Sequence, residues 1–195
     1  TALGTPLALN GEYVFEWLPD PGHWLWDTDN GGGFFNENSC HLFDSICYLL
    51  GAPVSVAAEA RTIHDSPSPE IAVITLQFES GAVAAVMVGG LGTAALNAYP
   101  RLNLLAAQGQ AILHGNHHMW TGLTYALRGS DAEQHLDLGP EMLGATRYTD
   151  AFQHFAQSIR DKTPPSATIE HGIRSVAIAQ AVYESARTGH KVYLK

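Results

Sequence analysis

Four side chains able to hold or move a proton recur at helical spacing in one short segment of this chain. Glu37, His41, Asp44 and Tyr48 follow one another at steps of four, three and four residues, which places them along one side of a helix. An imidazole one turn away from a carboxylate on either side has a fixed orientation and a raised proton affinity. Those are the properties of a general acid/base. The same Glu–His spacing also serves as plain helix-surface support, so spacing alone leaves both readings open.

The surrounding residues define the element that must carry this set. A glycine run, Gly31, Gly32 and Gly33, opens the segment, and Gly51 followed by Pro53 closes it like a helix stop signal. Between them Leu42, Phe43, Ile46, Cys47 and Leu50 form one apolar stripe, which predicts a helix near 35–50 with its other side free for chemistry.

With these residues in place, the segment resembles the C-terminal domain of the glucose–fructose oxidoreductase/inositol dehydrogenase (Gfo/Idh/MocA) family. Its members carry a triple-glycine run, an acid, a His four residues later and an Asp three beyond, on a helix ending in Leu-x-Gly. Phe78-Glu79-Ser80-Gly81-Ala82 is similar to the family's hairpin, and Tyr183-Glu184-Ser185-Ala186-Arg187-Thr188-Gly189 with Val192 to its closing helix and strand. Two local departures stand out: Glu37 where the family most often has Asp, and Ser39 where it usually has Gly. The family's dinucleotide-binding domain, with its Gly-x-Gly-x-x-Gly loop and catalytic Lys in Glu-Lys-Pro, has no counterpart in this chain, whose first lysine is Lys162.

The resemblance implies a parent enzyme that oxidises or reduces the CH–OH group of a sugar, polyol or related metabolite with NAD or NADP. His41 would be the acid/base, assisted by a Lys from the absent N-terminal Rossmann domain. Glu37 would orient or polarise the site, and Asp44 would hold His41 or a substrate hydroxyl. The cofactor would be bound mainly by that other domain; for this chain alone no bound cofactor and no activity are expected. Gly31–Gly33 has two readings: backbone freedom between loop and helix, or a close backbone approach to the nicotinamide. Three alternatives remain open: an NAD-dependent glycoside hydrolase of the same fold, a non-catalytic dinucleotide-binding regulator, and a domain serving mainly subunit assembly.

Other clusters were weighed against these. His23, Trp24 and Asp27 sit in a loop dense in turn formers. Trp faces stack on sugars and carboxylates bind hydroxyls, so these three are candidate substrate contacts; packing of the tryptophans over the sheet edge explains them equally. His114, His117 and His118 lack a complete ligand set and read as a polar loop around a Gly-Asn turn rather than a metal site. Cys40 and Cys47, seven residues apart on the expected helix, are too distant for a disulfide, which points to a cytoplasmic protein. No Gly-x-Ser-x-Gly elbow occurs.

Composition sets the outer bounds. The 195 residues suffice for one buried core, 46% are hydrophobic and only 15% charged, and no linker divides them. A net charge of −9 argues against a nucleic-acid partner, and no apolar run is long enough to span a membrane. Alternating patterns predict strands over 6–18, 54–63, 71–79, 82–89, 101–107, 110–113, 123–128, 134–138 and 192–194. Leu7, Leu9, Tyr13 and Phe15 are the expected buried positions of the first. Helical periodicity returns over 148–161 and 168–188, the latter apolar on more than one side. The expected class is α+β, an open and predominantly antiparallel sheet with helices on one face. Its other face would be left to pair with a second copy in a homo-oligomer.

Overall fold

A computed structural model describes residues 2–27, 29, 32–96, 99–138 and 146–195, with the backbone alone at 146 and 147. Alternating polarity produces nine strands among these residues: β1 (Pro6–Val14), β2 (Pro53–Arg61), β3 (Ile71–Phe78), β4 (Val83–Gly89), β5 (Arg101–Ala106), β6 (Gly109–Asn116), β7 (Met119–Leu127), β8 (Gln134–Asp137) and β9 (Val192–Tyr193). They form one sheet in the order β8-β7-β6-β5-β1-β4-β3-β2-β9. Only β1 and β4 run parallel, with Leu9 opposite Ala84 and Tyr13 opposite Val88; the other neighbours are antiparallel. The mainly antiparallel sheet therefore stands, with β1 at its centre.

The helices are α1 (Phe34–Glu37), α2 (Cys40–Leu50), α3 (Thr146–Asp161) and α4 (Ile169–Thr188). Leu42, Phe43, Ile46 and Leu50 of α2 and Ile178, Ala179, Ala181 and Val182 of α4 bury against Leu9, Tyr13, Val56, Ile74, Leu76, Val86 and Val88 of the strands, in one continuous core. Each Leu, Ile, Val or Phe among them removed from water contributes about 1.5–3 kcal/mol. This two-layer core is what holds the helix-borne residues over the sheet.

Three expectations need correction. The helix near 35–50 is two helices, because the chain turns at Asn38 and Ser39, where the Glu37 carbonyl accepts the Cys40 thiol at 3.1 Å. The first strand stops at Val14 rather than running to residue 18, and Leu7 is half exposed while Leu9, Tyr13 and Phe15 are buried. A register shift between Pro6 and Ala8 displaces the start of β1 from the strict alternation on which the burial of Leu7 was argued. The second apolar side of α4, Ile169, Ile173 and Val176, faces outwards. On α3, Tyr148, Phe152, Phe155 and Ile159 also form an exposed stripe.

Candidate active site

The entry to α1 is built by close backbone contact. Gly33 has φ of 111°, and a Cβ there would lie 2.6 Å from the Tyr183 hydroxyl. At Gly32 a Cβ would meet the carbonyls of Asp27, Leu25 and Trp24 at 2.5, 2.7 and 2.8 Å. Packing inside the chain thus accounts for glycine at both positions; Gly31 lies outside the described residues. Tyr183 in α4 accepts the Phe35 N–H at 3.0 Å, so α4 fixes the segment that presents Glu37.

A cleft of about 1140 Å³ opens beside this segment, and Glu37, His41 and Asp44 all line it. Tyr13, Phe15, Trp17, Tyr99 and His118 form the facing wall, and Thr168, the N-cap of α4, closes the side with His171 and Ser175 of that helix. Tyr48, the fourth residue of the spaced set, is exposed away from the cleft. The carboxylate of Glu37 accepts the Asn38 side-chain amide at 2.7 Å. The imidazole of His41 is exposed and has neither a hydrogen bond nor an ion pair among the described residues, so the carboxylate clamp expected from spacing is not formed here. The break at Asn38–Ser39 removes the continuous turn that would have aimed Glu37 at the ring. In the turn between Glu37 and α2, Asn38 Oδ1 and Ser39 Oγ are buried without a protein partner among the described residues.

His23, Trp24 and Asp27 do not line this cleft. His23 Nδ1 accepts the Leu25 N–H at 3.2 Å and caps the short turn Trp24–Trp26. Its ring lies 6.1 Å from that of Trp17 and 5.6 Å from that of Trp24. Trp17 therefore separates this loop from the cleft. Asp27 holds the approach to α1 through its carbonyl, which accepts the Gly32 N–H at 2.8 Å.

Sequence reasoning missed the facing wall. The alternation of β1 placed Tyr13 inwards but carried no sign of its role. The histidines are not one group: His114 is within β6, whereas His117 and His118 form the tip of the β6–β7 hairpin. The turn falls on His117 (φ 46°) and His118 (φ 68°) and not on Gly115-Asn116, which continue β6. Two positive φ values are what a two-residue I′ hairpin requires, and with no Gly at either position they hid the turn. The ring of His118 sits 5.0 Å from Phe15 and 5.0 Å from Tyr99, both nearly edge-on. Its Nδ1 shares a short hydrogen bond with the Tyr13 hydroxyl. Burial, with smaller contributions from Tyr99, Cys40 and Glu37, raises the Tyr13 pKa well above that of an ordinary phenol.

Residues 1–194 match the model of the oxidoreductase family's C-terminal alpha/beta domain. The chain belongs to this Gfo/Idh/MocA oxidoreductase family. Its fold is similar to that of levoglucosan dehydrogenase in complex with NADH and L-sorbose, at 20% identity and a TM-score of 0.84 over 100% of this chain and 60% of that one. An NAD binding oxidoreductase from Klebsiella pneumoniae gives 15% identity and a TM-score of 0.83, covering 98% of this chain and 59% of that one. Aldose-aldose oxidoreductase from Caulobacter crescentus, complexed with glycerol, gives 21% and 0.79, covering 99% and 57%. The chain thus spans about 60% of the length of the first of these relatives. No curated protein sequence matches it.

Proposed function

From that membership we propose that the chain is the substrate-binding and proton-transfer half of a nicotinamide-dependent oxidoreductase acting on the CH–OH group of a sugar or polyol. One observation carries this reading: Glu37 on α1 and His41 and Asp44 on α2, across the break between the helices, line a single cleft with an aromatic facing wall. Aromatic faces and scattered polar groups suit a polyol.

The donor set also defines what part of the cofactor fits. Among the described residues no Lys or Arg lines the cleft, so it suits the nicotinamide end, cationic when oxidised and neutral when reduced, and not the diphosphate, whose binding calls for a helix N-terminus and glycine loop. When bound, the nicotinamide accepts or donates the hydride. This chain supplies the rest. His41, exposed to the cleft, takes the hydroxyl proton during oxidation and returns it during reduction. Glu37, held through Asn38, and Asp44, one turn beyond His41, accept hydrogen bonds from substrate hydroxyls and orient the reacting carbon. The exposed stripes of α3 and α4 would seat the dinucleotide-binding domain. The outer sheet face, where Val73 and Val83 are exposed, would pair subunits.

The test is His41→Asn in the intact protein, assayed by nicotinamide absorbance with a panel of sugars and polyols. Loss of a general acid/base lowers the rate by roughly a hundred- to ten-thousand-fold, with cofactor affinity and melting temperature unchanged. Full turnover by a folded His41→Asn protein sinks the assignment.

A further inference from the structure

Resting on the reading of the cleft as a polyol site, we propose that His118 is a specificity-determining residue whose Nε2–H binds a non-reacting hydroxyl of the substrate across the cleft from His41.

Three observations converge on it. His118 is exposed at the hairpin tip yet lines the same cleft as His41, so its ring is presented to whatever fills that space. Its orientation is determined from the core: Phe15 and Tyr99 pack edge-on to the ring and the buried Tyr13 hydroxyl engages Nδ1. Its backbone is also held in the left-handed region at φ 68°, which His tolerates better than most non-glycine residues. A hairpin tip needing only a turn would be better served by Asn-Gly. A His held there with its ring aligned by three aromatic side chains is arranged for its imidazole.

The hydrogen bond also selects a tautomer. A buried phenol must place its proton on an acceptor, and the described structure offers the Tyr13 hydroxyl the imidazole Nδ1. With the phenol proton directed to Nδ1, that nitrogen accepts and the neutral ring carries its own proton on Nε2. Tyr13 acts only through His118 and is a positioning residue. His118 becomes a fixed donor, suited to the lone pairs of an alcohol oxygen. A hydroxyl bound this way contributes equally to ground and transition states, so its loss appears in KM and not in kcat.

The experiment uses the intact protein with NAD or NADP, D-glucose, myo-inositol and the monodeoxy analogues of glucose. His118→Asn keeps a residue tolerant of positive φ and removes the ring; Tyr13→Phe keeps the ring and releases the tautomer. Expected for His118→Asn is a rise in KM of about tenfold, the value of one hydrogen bond, with kcat and NADH affinity unchanged. The analogue lacking the contacted hydroxyl should show no such rise, and Tyr13→Phe should fall between the two. A KM unchanged in His118→Asn, or raised equally for every analogue, overturns the proposal. If the wild type oxidises none of the panel, the proposed function fails, and imidazole nitrogen NMR of the same protein decides His118. An Nε2–H tautomer whose signals move on titration with D-sorbitol upholds the subsite, and unmoved signals overturn it.

Discussion

Phe35 donates its backbone N–H to the hydroxyl of Tyr183, 148 residues later, at 3.0 Å. The same hydroxyl fills the space where a side chain at Gly33 would stand. One phenol in α4 therefore determines how the chain enters α1 and where Glu37 emerges. Its burial pushes the Tyr183 pKa up to about 12, against smaller lowering contributions from Phe35 and Ser68, so it remains a neutral hydroxyl across the working range.

Gly33→Ala should therefore cost more than Tyr183→Phe. The phenylalanine leaves one buried N–H without its acceptor, a loss of about 1–3 kcal/mol. The alanine meets both a steric overlap and a φ of 111° that non-glycine residues rarely adopt, and it must displace Tyr183 as well. Urea denaturation of the two variants checks the order. An alanine variant as stable as wild type would show that the entry to α1 is not so closely held.

Glu70 gives a pH dependence of known sign. Its side chain is fully buried and accepts the N–H groups of Ile63 and His64 at 2.7 and 3.0 Å and the Ser66 hydroxyl at 2.5 Å. Burial works to raise its pKa, but these bonds outweigh it and the net shift is downward. A lowered folded-state pKa means stability that is present above the unfolded carboxylate value, about 4.3, and lost as pH falls through the folded one. Glu70→Gln should lower stability by about 2 kcal/mol near neutrality. It should also flatten the decline in melting temperature below that pH. Parallel acid profiles for the two proteins would refute the link.

Cys47 should be inert as a thiol. Burial pushes its pKa up to about 12, with Arg174 pulling it down a little and Asp44 adding to the rise. Since the thiolate is the nucleophile, alkylation followed by mass spectrometry at about pH 8.5, where a free thiol is half ionised, should leave Cys47 unmodified until the protein is unfolded. Rapid labelling in the native protein would contradict its burial against α4.

Much of this architecture was legible because its signals are local. The stripe Leu42, Phe43, Ile46 and Leu50 needs only helical geometry to be read, and the alternation of β3 and β4 around Ser80-Gly81 needs only that of a hairpin. The spacing of His41 and Asp44 was readable too, since residues three apart share one face of α2, but Glu37 lies on the separate α1. What the sequence could not decide depended on distant partners. The place of β1 at the sheet centre, parallel to β4, comes from pairings between residues far apart in the chain. The break between Glu37 and His41 falls at Asn38 and Ser39, where the apolar stripe of α2 carries no sign of it. Tyr13 and His118 meet across 105 residues, on a turn whose two histidines resemble no turn signal. Local periodicity records which face a residue presents; only the packed sheet decides which other face it will meet.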